Sequence, residues 1–203
     1  MLGIINYGLG NINSLVNMVK KVGGSAIIVN NKEDLLKVDR LILPGVGAFD
    51  YGIKLLRSLD YYNYLENTIL SGDKLLLGVC LGAQLLTISS EEGNENGLGW
   101  VNGVTEKFKF DTNKRLRIPH VGWNDLKIIS NNKLLVGLET EARFYFTHSY
   151  FIKMSKSTDI LATTNYGCNF VSIYNNKNIY GVQFHPEKSH KYGMKLIQNF
   201  IKL

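Results

Sequence analysis

The chain has 203 residues, 45% of them apolar and 20% charged, with a formal net charge of +6. That length fits one domain with a sizeable core, and the composition excludes a disordered chain. The lysines are scattered among asparagines and aspartates, without the dense basic block and interleaved aromatics of a nucleic-acid binder, so no nucleic acid is expected.

Residues 2–6 form an apolar strand-like run with no basic leader before it, and no long apolar segment follows. A cytoplasmic protein without membrane association is therefore expected. Gly8-Leu9-Gly10-Asn11-Ile12-Asn13 begins like a dinucleotide fingerprint but places Asn13 where the third glycine is needed, which disfavours a Rossmann cofactor site. Residues 11–22 then carry Ile12, Leu15, Val16 and Val19 at helical spacing, and Gly23-Gly24 stops that helix. Residues 25–29 and 40–43 read as further strands, and 50–59 and 62–70 as helices that fill the connection to a fourth strand at 74–79.

The third strand runs into Pro44-Gly45-Val46-Gly47, a turn able to bring a main-chain N–H close to a substrate oxygen. The fourth runs into Gly78-Val79-Cys80-Leu81-Gly82, followed by an apolar helical start. This is the cysteine counterpart of a nucleophile elbow. Glycines two residues either side leave room for the tight turn, and the helix that follows directs its first amides at Cys80. Cys168 has no comparable setting, and both thiols are read as free. After residue 90 the pattern turns to strands at 101–110, 121–129, 144–146, 160–163, 170–174 and 179–184, with a closing helix at 190–201. The basic stretch 107–117 reads as a solvated loop or hairpin that could also meet an acidic partner surface. No linker or repeat divides the chain. One α/β domain spanning residues 1–203, with a central mixed, largely parallel sheet flanked by helices, is the expected fold.

A cysteine nucleophile needs a base, and the base needs a group to orient it. Gln183-Phe184-His185-Pro186-Glu187 supplies both. Pro186 is expected to keep this segment extended, so that His185 and Glu187 project to the same side. The remaining histidines, His120, His148 and His190, read as structural or exposed, and neither a metal nor any other cofactor is expected.

With these residues in view, the sequence resembles the class I (triad) glutamine amidotransferases over essentially its whole length. Within that class it looks like the glutaminase subunits of imidazole glycerol phosphate synthases. Asn6-Tyr7-Gly8, the Pro44 to Phe49 loop, the Cys80 elbow, Pro119-His120-Val121-Gly122-Trp123-Asn124, Tyr145 to Tyr150 and Gln183 to Ser189 stand in the family's order. The resemblance implies Cys80, His185 and Glu187 as a catalytic triad acting on L-glutamine, with Val46 and Leu81 supplying oxyanion amides. It implies that Gly47, Gln84, Ser149 and Tyr150 hold the substrate. It further implies a heterodimer with a cyclase subunit, a (β/α)8 barrel, met through Asn11, Pro119, His120, Tyr145 and Lys188. Ala83 stands where the family often has methionine, and Leu9 where it often has proline. Three other readings remain open: a duplicated glutaminase serving another synthase such as a sugar amidotransferase, a regulatory subunit without activity, and a free-standing γ-glutamyl hydrolase.

Overall fold

In a computed structural model, which describes residues 1–110, 116–138 and 141–203, the apolar runs become strands and the amphipathic stretches become helices that cover them. In chain order the elements are β1 (Leu2–Ile5), α1 (Ile12–Lys21), β2 (Ala26–Val29), α2 (Lys32–Leu36), β3 (Arg40–Leu43), α3 (Phe49–Arg57), α4 (Tyr62–Leu70), β4 (Leu75–Val79) and α5 (Leu81–Leu85). Then follow β5 (Gly103–Lys107), β6 (His120–Asp125), β7 (Lys127–Ile128), β8 (Arg143–His148), β9 (Tyr150–Met154), β10 (Ile160–Asn165), β11 (Asn169–Asn176), β12 (Ile179–Val182) and α6 (His190–Lys202).

The main sheet runs β2-β1-β3-β4-β12-β11-β10-β7. Its first five strands are parallel, and β11, β10 and β7 continue it antiparallel. Strand β9 pairs with β11 and carries β5. Strands β6 and β8 form a separate antiparallel ribbon. The parallel strands bury both faces, which is why they read as continuous apolar runs without alternation. Leu2, Ile4, Ile42 and Leu77 pack under Leu15 and Val19 of α1 and Leu196, Ile197 and Phe200 of α6. On the opposite face, Leu41, Leu43 and Leu76 pack under Phe49, Ile53, Leu65, Ile69 and Leu85. The result is a three-layer α/β domain with a mixed, largely parallel sheet. No helix among the described residues is long and apolar enough to cross a membrane.

Four departures from the sequence reading have physical causes. The run 121–129 is two strands, because the chain leaves the ribbon after Asp125 and joins the edge of the main sheet at Lys127. Strand β9 is an addition to the expected strands, since Ser149-Tyr150 reads as part of the preceding motif. Helix α2 is a second addition; it is only five residues long and is fixed by Asn31, whose side chain accepts from the Asp34 N–H. The segment after His185 is not extended: Pro186–Lys188 forms a 3₁₀ turn with the proline in its first turn, where a fixed φ favours helix. The basic stretch 107–117 lies partly outside the described residues.

Candidate active site

Because β1, β3, β4 and β12 are parallel, the loops leaving their C-terminal ends converge on one edge of the sheet, the usual place for a site in such folds. Those loops carry Tyr7 to Asn11, Pro44 to Gly47, Cys80 and His185. Strand β12 pairs in register with β4, Val182 beside Val79, and the Cys80 N–H donates to Val182 O at 2.8 Å. The nucleophile candidate and the base candidate thus leave neighbouring strands, a hundred residues apart in sequence but side by side.

Cys80 has φ 52° and ψ −112°, a strained backbone for a residue with a Cβ. The glycines around it are structurally required. A Cβ on Gly78 would lie 2.6 Å from Ala83 Cα, and one on Gly82 would lie 2.0 Å from Leu43 O. The elbow is held so tightly against β3 that no side chain fits between them. The neighbouring loop is pinned by Tyr7, a buried side chain whose hydroxyl donates to Pro44 O at 2.7 Å. Burial, and then the nearby Cys80 sulfur, raise the Tyr7 phenol far above its ordinary range.

His185 Nδ1 lies 2.8 Å from Glu187 Oε1, and both side chains are almost fully buried. The pairing comes from the 3₁₀ turn: Lys188 N–H donates to His185 O at 3.1 Å, and the Ser189 hydroxyl donates to the same oxygen at 2.6 Å. Burial alone would push the imidazole down. The Cys80 sulfur, and after it the Glu187 carboxylate, overcome this and raise it to about 10. Among the described residues His185 Nε2, the ring nitrogen not held by Glu187, has no hydrogen-bond partner. Burial also works against the charge of Glu187, but His185 and then Asn11, which donates to Oε1 at 2.8 Å, hold that carboxyl below its usual value. An imidazole that keeps its proton beside a sulfur can hand that proton to a leaving amine, the requirement for splitting an amide through a thioester.

Cys80 and His185 open onto one cavity of about 320 Å³, near the low end of small-molecule sites and suited to an amino acid. Val46, Gly47, Leu81, Gln84, Ser149 and Tyr150 all line it. Gln84 Nε2 donates to Tyr150 O at 2.9 Å and to Gln183 Oε1 at 3.2 Å.

The residues expected at a partner face are divided. Lys188 is exposed and stands 5.8 Å over the Tyr145 ring, beside Trp123, which stacks on His190 at 5.4 Å. Pro119 lines the cavity, and Asn11 turns inward to Glu187. His120 is 3% exposed, covered by Tyr166 at 3.9 Å between ring centroids, so its ring is not on the surface. It contacts His148 instead, Nδ1 to Nε2 at 3.1 Å, and His148 Nδ1 meets Tyr150 O at 2.8 Å. Burial lowers the first ring to about 4 and the second to about 3.

Sequence reasoning missed Glu92, a half-buried carboxylate on the cavity wall that accepts from the Phe49 N–H at 3.1 Å. Glu92 sits between Glu91 and Glu95 in a glycine-containing loop, and nothing in that run singles it out; only the fold carries it to the pocket. Among the described residues no group of three His, Cys, Asp or Glu could hold a metal ion. His190, three residues past Glu187, turns to Trp123.

Residues 3–203 match the family Glutamine amidotransferase class-I. The chain is 50% identical to imidazole glycerol phosphate synthase subunit HisH 2 of Methanococcus maripaludis, covering 100% of this chain and 99% of that one. It is 42% identical to the subunit HisH 2 of Pseudomonas aeruginosa, and also 42% to the subunit HisH of Leptospira interrogans, over 100% of each chain. Among solved structures it is similar to PurLQS from Thermotoga maritima, with a TM-score of 0.72, 18% identity and coverage of 99% and 97%. A glutamine amidotransferase from the same organism gives a TM-score of 0.65 at 16% identity, with coverage of 99% and 82%. At those identities the likeness is one of fold.

Proposed function

Since this chain belongs to the class I glutamine amidotransferase family, we propose that it is the glutaminase subunit of an imidazole glycerol phosphate synthase, working in histidine biosynthesis. The observation that carries this reading is the meeting of Cys80 and His185 across one amino-acid-sized cavity, in a chain 50% identical over its length to a subunit of that name.

The Cys80 sulfur attacks the side-chain carbonyl carbon of L-glutamine. His185, oriented by Glu187, gives its Nε2 proton to the departing nitrogen, and ammonia leaves behind a glutamyl thioester. His185 then takes a proton from water, which attacks the thioester and releases glutamate. The main-chain N–H groups of Val46 and Leu81 stabilise the oxyanion in both steps. Gly47, Gln84, Ser149 and Tyr150 hold the amino acid, and Glu92 meets its ammonium group.

Ammonia explains the need for a partner. In open water it is protonated and lost as a nucleophile, so it must pass along a water-poor route to its acceptor. The partner is a (β/α)8 cyclase subunit, docked in the cytoplasm as a heterodimer on the Trp123, Tyr145 and Lys188 face, with Asn11 and Pro119 at its rim. Gly45 and Gly47 allow the loop two backbone states, and partner binding selects the one that turns the Val46 N–H inward. The experiment is a glutaminase assay on the chain alone, with the cyclase, and with cyclase plus its ribotide substrate. A large rise in the last mixture is expected; equal rates in all three reject the reading.

The copy numbers borne by two relatives named HisH 2 favour a second reading. A duplicated copy can keep this chemistry while supplying ammonia to another synthase, such as a sugar amidotransferase. Recovery of such an enzyme as the bound partner, in place of the cyclase, decides for it.

A further inference from the structure

Gln183 lies two residues before His185 and is 0% exposed. Its backbone N–H donates to Ser172 O at 2.9 Å, which fixes it at the end of β12. Its side chain touches the two groups that matter most in the cavity wall. Oε1 accepts from Gln84 Nε2 at 3.2 Å, and Nε2 points at Cys80 Sγ from 4.0 Å, a long contact suited to a large, polarisable sulfur.

The orientation of this amide follows from its neighbours. Gln84 Nε2 has two hydrogens, and its acceptors are Tyr150 O at 2.9 Å and Gln183 Oε1. Turning the Gln183 amide over would set N–H against N–H there. Its oxygen therefore belongs to Gln84 and its nitrogen to the sulfur. A side chain present only to fill this volume needs no N–H on the sulfur side, where an apolar group would pack as well without a polar atom to satisfy.

We propose that Gln183 is a positioning residue for the nucleophile: its N–H groups hold the Cys80 sulfur in the attacking position and favour negative charge on it, while its oxygen locks Gln84 onto the same unit. This rests on the reading of Cys80 as nucleophile. The end of β12 and the residues just beyond it then serve Cys80 three times, through Val182 O on its N–H, the Gln183 amide on its sulfur, and His185.

Two variants separate the roles, with glutaminase measured in the stimulated complex with the cyclase. Gln183→Glu keeps an oxygen for Gln84 but replaces the donor facing the sulfur. It is expected to lower kcat roughly 10- to 100-fold at neutral pH, with KM within about twofold. The deficit grows as pH rises, because the introduced carboxyl donates when protonated and repels the sulfur when ionised. Alkylation of Cys80 by iodoacetamide, without substrate, slows in parallel. Gln183→Met removes both contacts and adds a rise in KM. Wild-type alkylation rates and kcat in Gln183→Glu, or losses that are the same at every pH and follow only a loss of thermal stability, overturn the proposal.

Should neither variant fold, the unmodified chain gives the answer. The Gln183 side-chain amide resonances are expected to move over the same pH range in which Cys80 alkylation accelerates, and resonances that stay fixed there overturn the proposal. Cys80→Ser tells the two failures apart. An inactive Cys80→Ser beside an unaffected Gln183→Glu removes only the role of Gln183, whereas an active Cys80→Ser removes the nucleophile reading and this inference with it.

Discussion

Acidification should destabilise this fold earlier and more steeply than its carboxylates alone would cause. His120 and His148 are buried in contact with each other, and burial keeps both neutral, down to about pH 4 and about pH 3 respectively. In the unfolded chain each takes a proton near 6.5. Below that value the unfolded state binds two protons that the folded state refuses, so stability falls with falling pH. The slope is about 1.4 kcal/mol per pH unit for each ring, or about 2.7 for the pair. From about pH 6 to about pH 4 the loss amounts to roughly a few kcal/mol, a large share of the stability of many domains. His185 does not offset it: its raised value means that its contribution is fully present below 6.5 and is lost only as pH climbs through about 10. Urea unfolding at closely spaced pH values measures the slope, and His148→Gln should roughly halve it. A stability that stays flat from pH 7 to pH 5 refutes the reasoning, because it would mean that the two rings take up protons as readily folded as unfolded.

Other changes test the site piece by piece. Glu187→Gln leaves His185 and Asn11 an oxygen but removes the charge; kcat for glutamine should fall about 5- to 30-fold with little change in KM, read from initial rates. Gly82→Ala should abolish soluble, folded protein, since the new Cβ would sit 2.0 Å from Leu43 O; circular dichroism and yield decide, and a folded variant contradicts the tight packing of the elbow on β3. Trp123→Ala should weaken cyclase binding by about 30-fold in a titration, as expected for one large aromatic anchor, while unstimulated glutaminase stays unchanged.

What the sequence disclosed and what it hid divide along physical lines. The parallel strands, the Cys80 turn and the α1 and α6 helices were legible because burial on both strand faces, close-approach glycines and helical spacing each leave a local signature. The adjacency of His185 and Glu187 was also legible, but for the wrong reason: a 3₁₀ turn beginning at Pro186, not an extended segment, brings them together. The place of Glu92 on the cavity wall, the Gln183 contacts and the His120–His148 contact were hidden, since each arises only when segments distant in sequence are placed side by side. His120 shows this most clearly. The resemblance implies a residue at the partner face, whereas the ribbon of β6 and β8 folds it under Tyr166.

Exposing the chain to an electrophilic analogue of glutamine, followed by peptide mass spectrometry, asks whether the sulfur at the end of β4 is the attacking atom. Label on Cys80 alone, protection by L-glutamine, and loss of labelling in His185→Ala are the expected results. Label on Cys168, or glutamine turnover that persists with Cys80 fully blocked, would contradict them.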